Sequence, residues 1–387
     1  MGSDGYAHLS DTKFASRNNG VGTVKYRVMD ETGRVAECVT RHRHGLFAAI
    51  NNYENGWAGN IREPHHEMAV FRDTYKRYAG IDKYLRTMTD QEVTKEGLIT
   101  GIESFANYPV AGDIVVFYFC GHGINGGLVC YDKDRIVWGY ELATAFDKFQ
   151  SGVAVVAVLY ACYSGSVIDM TSLGNNVAWI YSSAADEKSK SGMFTDVLCY
   201  KGWMDGFSDD KVANSLADGD GYITFAELAE YGQQEMGANF DTYGRMMGYQ
   251  NSIILDNIVL SKVPDQNKAN KRFRWYTQST GSFPASEGNM EVAFATTAAN
   301  GIHTIADCYE LGIDPDNPDD DFRITHFEMV NGEPVFELNH TTDGSGESFL
   351  PRIKKLGKAD LKDNWSEVPP GGDSAHRFFT VEVMKGE

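Results

Sequence analysis

Two short stretches carry residues that could do covalent chemistry. "DIVVFYFCGHG" (113–123) ends with His122 between two glycines, and "VAVVAVLYACYSG" (153–165) places Cys162 two residues before Ser164-Gly165. A thiol is a weak nucleophile until ionised, and a neighbouring imidazole promotes the thiolate. Each residue follows an apolar run that reads as a buried strand. In doubly wound sheets ligands sit outside the carboxyl ends of the strands, so both loops are expected on one edge. Gly123 would let backbone approach a substrate carbonyl. The N–H groups of Gly123 and Cys162 could then hold an oxyanion, a kind of donor worth about 3 kcal/mol. A cysteine closing an apolar strand is ordinarily a small buried hydrophobe. The histidine between glycines at an equivalent strand end shifts the reading toward a nucleophile. Cys120 stands two residues before His122, but Cys-x-His alone is poor zinc spacing.

A second pattern suggests a cation. "ADGDGYITFAELAEY" (217–231) resembles the second half of a calcium loop. Asp218, Asp220, the Tyr222 carbonyl, Thr224 and Glu227 fall at loop positions 3, 5, 7, 9 and 12, with Gly221 at the sharp turn. Leu216 at position 1 cannot ligate. Asp209 or Asp210 would replace it only if the chain curls back. The competing reading is a turn in which Thr224 caps the following helix. "IDPDNPDDDF" (313–322) is most simply a solvated turn.

The elements that must position these residues alternate along the chain. "GLFAAI" (45–50), "KYLRTMT" (83–89), "DIVVFYF" (113–119), "VAVVAVLY" (153–160) and "VAWIYSS" (177–183) read as strands. Between them lie helical patterns: Met68, Phe71, Tyr75 and Tyr78 after Pro64; Leu98, Ile102 and Phe105; Leu142, Phe146 and Phe149. Strands that are apolar throughout, separated by helices, predict an α/β fold with a parallel-dominated sheet covered on both faces. The unit spans 45–262, after an N-terminal extension, 1–44. A polar linker, 263–272, leads to a small β-rich accessory domain, 273–387, with one short helix near 301–311. Asn331-Gly332 marks a hairpin there.

Composition narrows the partners. Thirty-five basic and 54 acidic residues give a net charge of −19, a surface that repels phosphate backbones and suits cationic substrates or divalent cations. Neither nucleic acid nor membrane is expected as a partner. No run approaches the roughly 20 apolar residues of a membrane helix, and the first residues lack the pattern of a signal peptide. The chain is therefore expected to be soluble. Compartment stays open, with a secreted or cell-envelope setting included if the start is truncated. Oligomeric state stays open too. The six cysteines form no C-x-x-C pair, so neither a zinc ribbon nor a disulfide framework is indicated.

"YFCGHG" and "YACYSGS" resemble the histidine and cysteine motifs of the caspase-fold (clan CD) cysteine peptidases: caspases, metacaspases, legumains, gingipains and clostripain-like enzymes. "GLFAAINNYENGW" resembles their first strand and loop, and the resemblance spans roughly Gly45 to Lys262. It implies peptide-bond hydrolysis through a thioester, with Cys162 attacking and His122 as general acid and base. Gly123 and Cys162 would form the oxyanion hole, and no third triad member or cofactor is required. The expected partner is a protein or peptide substrate. Many relatives carry Asp, Glu or Gln two residues before the cysteine, where this chain has Tyr160, so the preferred side chain is not implied. Tyr160, Ser183, Asp186 and Asn52 are candidates for the substrate pocket, with Arg62 beside them. Calcium regulation with cleavage in "DEKSKSG" (186–192) is a further expectation. A catalytically silent caspase-like module that binds proteins is the alternative function.

Overall fold

The computed structural model describes residues 25–29, 35–39, 42–81, 83–169, 177–239, 247–251, 254–255, 258–266, 268–279, 297–301, 303–315, 317–320, 322, 324–330, 333–340, 353–358, 366–367 and 378–383. The chain forms two compact units, residues 1–264 and 265–387.

The first unit is built on a six-stranded sheet. Its strands are β3 (Arg43–Ala49), β4 (Leu85–Thr89), β5 (Ile114–Cys120), β9 (Ala154–Tyr160), β10 (Val177–Tyr181) and β12 (Gly248–Gln250), in the order β12-β10-β9-β5-β3-β4. All neighbours are parallel except β10 and β12. A separate hairpin precedes the sheet, β1 (Lys25–Met29) with β2 (Val35–Val39).

The central strands are apolar throughout because both faces are covered. Side chains alternate between the faces. Leu46 and Ala48 of β3 and Val115, Phe117 and Phe119 of β5 join a core with Leu98, Ile102 and Phe105 of α2 (Lys95–Phe105) and Leu142 and Phe146 of α3 (Gly139–Phe146). The intervening Phe47 and Tyr118 turn to the other face. There Tyr118 stacks on Phe71 of α1 (Pro64–Thr74) at 4.8 Å, and Phe71 meets Trp203 at 6.2 Å.

Local chemistry sets the ends of these helices. Pro64 occupies the first turn of α1, where its missing N–H is not needed. The helix widens through Tyr75–Ala79 and stops at Gly80, whose φ of 76° is left-handed. Thr94 caps α2 by accepting from Gly97 N–H at 2.9 Å. A small sheet interrupts the alternation between β5 and α3: β6 (Gly123–Ile124), β7 (Gly127–Val129) and β8 (Ile136–Trp138). Beyond β9 come α4 (Ser164–Asp169) and α5 (Met193–Thr195, continuing with wider turns through Asp196–Met204). The unit ends with β11 (Tyr222–Thr224), α6 (Phe225–Ala238) and β13 (Val259–Lys262), the last pairing with β11.

The second unit begins with a helix the sequence pattern did not suggest. α7 (Lys268–Ser279) overlaps the stretch read as linker. α8 (Ile305–Leu311) is the expected short helix, capped by Thr304. Two antiparallel sheets follow: β14 (Ile324–Val330) with β15 (Glu333–Leu338), and β17 (Ser366–Glu367), β16 (Ile353–Lys358) and β18 (Phe378–Val383). The Asn331-Gly332 turn itself lies outside the described residues, but Val330 pairs with Glu333 across it. In the acidic turn, Asp320 accepts from Asp314 N–H at 2.8 Å.

Candidate active site

β5 and β9 are neighbours, and Cys120 pairs with Tyr160. Two residues further along each strand come His122 and Cys162, so the register brings both out at one level on one edge. The ladder continues past the strands through Gly121 N–H to Tyr160 O at 3.2 Å. Gly123 lies so close to the next loop that a Cβ there would be 2.1 Å from the Cys162 carbonyl oxygen. No residue with a side chain fits without moving backbone.

His122 is held on two sides. Its N–H donates to the Tyr53 hydroxyl at 2.7 Å, and its ring lies on the Tyr53 ring at 5.0 Å. Its Nε2 is 3.0 Å from the Gly59 carbonyl. A carbonyl only accepts, so Nε2 carries the proton and Nδ1 keeps its lone pair. Tyr53 is buried, which pushes its own ionisation up and keeps it a neutral phenol. Neither partner was legible beforehand, because the Gly59 contribution is a backbone atom and Tyr53 reads as an ordinary loop aromatic.

Cys162 is half-buried, on a turn closed by hydrogen bonds. Tyr163 adopts a left-handed φ of 58°, and its N–H donates to Glu187 O at 2.7 Å. Ser182 Oγ accepts from Ala161 N–H, and Ser183 Oγ donates to Ala161 O at 3.0 Å and accepts from Ser164 N–H. Among the described residues the Cys162 N–H takes part in no hydrogen bond. Its Sγ lies 3.9 Å from Ser189 O.

His122 and Cys162 face one cavity of about 140 Å³, shared with Tyr160, Ser189, Ser191 and Glu67. Tyr160 is buried, packs its ring tilted against Phe194 at 5.0 Å and donates to Lys190 O at 2.7 Å. The other pocket candidates lie elsewhere. Ser183 is buried in the hydroxyl network behind the cysteine turn. Asn52 is exposed and donates to Asp90 Oδ2 at 3.0 Å. Asp186 and Arg62 are exposed and do not line the cavity. Cys120 does line it, but burial holds its thiol well above the usual range, so it does not compete as a thiolate. A larger groove of about 620 Å³ between α2 and α3 contains neither Cys162 nor His122.

Glu67 was not singled out in the sequence, where it is one acidic residue in the first turn of a helix. It is 4% exposed, and its Oε2 has no hydrogen-bond partner among the described residues. Burial pushes its carboxyl up to about 7. The Thr195 hydroxyl and Gly192 N–H pull the other way, and the charges of Glu63 and Asp196 add to the rise.

The acidic loop before α6 brings together Asp209, Asp218 and Asp220, with one ligand oxygen of each within 4.8 Å of the others. The chain does curl back. Asp209 lies beside the loop, where Leu216 offers no oxygen, and accepts from Gly221 N–H at 2.9 Å. Glu227 reaches the same loop through the Asp218 N–H, while its Oε2 accepts from Thr224 N–H at 2.7 Å and from the Thr224 hydroxyl at 2.9 Å, closing a capping box. Tyr222 carries Lys262 over its ring at 5.7 Å.

The sheet order, the helices on both faces and the paired strand ends define a caspase-like α/β fold. Residues 49–224, somewhat less than half of the chain, match the model of the peptidase C13 family, the legumain-type cysteine peptidases of clan CD. No curated protein matches the chain. Among solved structures, protein GSU0716 from Geobacter sulfurreducens is similar at 15% identity and a TM-score of 0.44, over 57% of this chain and 99% of that one. The peptidases of that family act on proteins or peptides. Among the described residues no helix is long and apolar enough to cross a membrane.

Proposed function

We propose that the chain is a cysteine endopeptidase in which Cys162 is the nucleophile and His122 the general acid and base. The observation that carries this reading is the β5–β9 register, which sets both residues at one level beside one cavity. With Nε2 held by Gly59 O, Nδ1 is the nitrogen left to take the thiol proton. The thiolate sulfur then bonds to the substrate carbonyl carbon. The resulting oxyanion is met by the N–H groups of Cys162 and Gly123. As the C–N bond breaks, the imidazolium returns its proton to the leaving amine. Water, deprotonated by His122, then hydrolyses the thioester and regenerates the thiol.

The test is cleavage of a positional-scanning fluorogenic peptide library by the wild type and Cys162→Ala. Cleavage lost in the variant is the expected result, and unchanged cleavage sinks the assignment. Selective labelling of Cys162 by a peptide warhead separates an enzyme from a silent binding module, which would leave Cys162 unlabelled. Ser189 and Ser191 wall the cavity, so a cut within 186–192 would open it. Intact mass after incubation with and without calcium reads whether that cut occurs.

A further inference from the structure

The cavity beside Cys162 is apolar along most of its depth and acidic at one wall. Ile61, Pro64 and the Tyr160 ring line its sides, and Glu67 lies among them with one oxygen unpartnered. Among the described residues no lysine or arginine lines this cavity. A carboxylate shielded from water and left unpaired is costly, so it takes a proton or acquires a cation. About 140 Å³ is the room of roughly five water molecules, comparable with the five heavy atoms of a lysine side chain. An aliphatic stem ending in a positive charge matches both the walls and the acid.

Resting on the peptidase reading, we propose that Glu67 selects a basic side chain, lysine or arginine, on the acyl side of the scissile bond. Tyr160 stands where an acidic or amide pocket residue would otherwise be expected. The selecting charge comes instead from α1, on the opposite wall. The net charge of −19 also favours the approach of basic peptides.

Matched fluorogenic peptides differing only at that position (Lys, Arg, norleucine, Asn, Asp) test this with wild type, Glu67→Gln and Glu63→Gln. The wild type is expected to prefer Lys over norleucine by 100-fold or more in kcat/KM. In Glu67→Gln that ratio should fall to near one. A wild type that prefers Asn or Asp overturns the proposal. So does a ratio that collapses in Glu63→Gln and persists in Glu67→Gln.

The pH dependence adds a readout that a structural role would not move. Around Glu67 lie Glu63 on its own helix, Asp196 and Cys199 from α5, Tyr118 and Cys120 from β5, and Tyr160 from β9. His122 and Cys162 line the same cavity, and of all these groups only His122 can carry a positive charge, in the wild type and in Glu67→Gln alike. The Lys-over-norleucine ratio should rise as pH passes through about 7 and stay flat in Glu67→Gln; equal profiles overturn the assignment. If no peptide is turned over at all, lysine- and norleucine-bearing acyloxymethyl ketones still report on the pocket through the rate of Cys162 labelling. A lysine preference lost in Glu67→Gln then upholds the pocket while the peptidase reading fails. No lysine preference in labelling overturns the pocket as well.

The acidic loop carries a separate site on a different observation. Asp209 is 8% exposed and its Oδ1 has no hydrogen-bond partner among the described residues, although Asp218 and Asp220 crowd it. Lys211 passes alongside, its Nζ 3.6 Å from where a Gly219 Cβ would lie. We infer that the three carboxylates take a calcium ion, with water filling the remaining positions of its six to eight oxygens. Calorimetric titration of chelator-treated full chain with calcium chloride should give a single site, with heat and a rise in Tm both lost in Asp209→Asn. Silence at millimolar calcium, or an undiminished response in Asp209→Asn, overturns it.

Discussion

The cavity beside Cys162 and the loop ahead of α6 each bury one acid with an oxygen that nothing in the described chain satisfies. Glu67 stands among thiols, phenols and apolar walls, while Asp209 stands against two more aspartates. Other buried acids are treated differently. Asp113 accepts from the N–H groups of His42 and Val110 and bonds the His44 ring at 3.0 Å, and Asp73 pairs with Arg72 at 2.8 Å. The contrast teaches that this fold satisfies carboxylates it uses for structure. The two it leaves open differ in what they invite. A buried acid in a mostly apolar slot that Glu63 also lines matches a single positive charge on an aliphatic stem. Three crowded acids match a compact divalent ion.

The sharpest way to break this division is to remove a satisfied acid and compare signs. Asp113→Ala removes the acceptor of the part-buried N–H groups of His42 and Val110 and the partner of the buried His44 ring. Removing one partner of such a buried cluster costs about 3–5 kcal/mol. Urea unfolding should show that loss, and a neutral result would erase the distinction between structural and open acids.

Glu67→Gln should act in the opposite direction. Its carboxyl is raised from 4.5 to about 7 in the folded chain, so between those values the folded state binds more protons than the unfolded one. Stability therefore falls as pH rises through that window, by on the order of 3 kcal/mol in all. Glutamine removes this penalty. The variant should gain on the wild type between pH 5 and pH 8, the gap opening mainly below about pH 7. A gap that stays constant with pH would mean that Glu67 carries no unsatisfied charge at neutral pH.

The two open acids should also be separable from one another. At calcium 100 times its dissociation constant, a single site stabilises by about 2.7 kcal/mol. That increment should survive Glu67→Gln and vanish in Asp209→Asn, while the lysine preference should show the reverse. If either variant abolishes both responses, the two regions are not independent.

How much of this was legible in the sequence follows the same divide. His122 and Cys162 stood out because each ends an apolar run at a glycine-bearing turn. Their juxtaposition also needed β5 and β9 to be neighbours, and strand order is a property of the whole sheet. Glu67 stayed hidden because an acid in a first helical turn is ordinary, being favoured there by the helix dipole. Only the packing of α1 against β5 and the 189–195 segment puts it beside the cysteine. Tyr160, a pocket candidate from the sequence, lines the cavity, but its hydroxyl is spent on Lys190 O. Ser183, Asn52 and Asp186 were plausible by proximity to strand ends, yet their side chains serve turns or solvent. Asp209 was legible only conditionally, because a loop closed from 7 residues before Leu216 has no fixed spacing to search for.

The smallest effect concerns Glu227, which the loop pattern would enlist as a ligand and the structure uses as half of a capping box with Thr224. Thr224→Ala removes the hydroxyl that Glu227 N–H and Oε2 both use. An N-cap loss of this kind costs about 1 kcal/mol. If Glu227 serves the helix alone, stability should drop by that amount and the calcium midpoint should not move. If Glu227 is a ligand held back by the cap, the freed carboxylate would reach the ion and the midpoint would shift. The three-aspartate site therefore predicts two separable numbers from one substitution: a lower unfolding midpoint and an unchanged calcium titration.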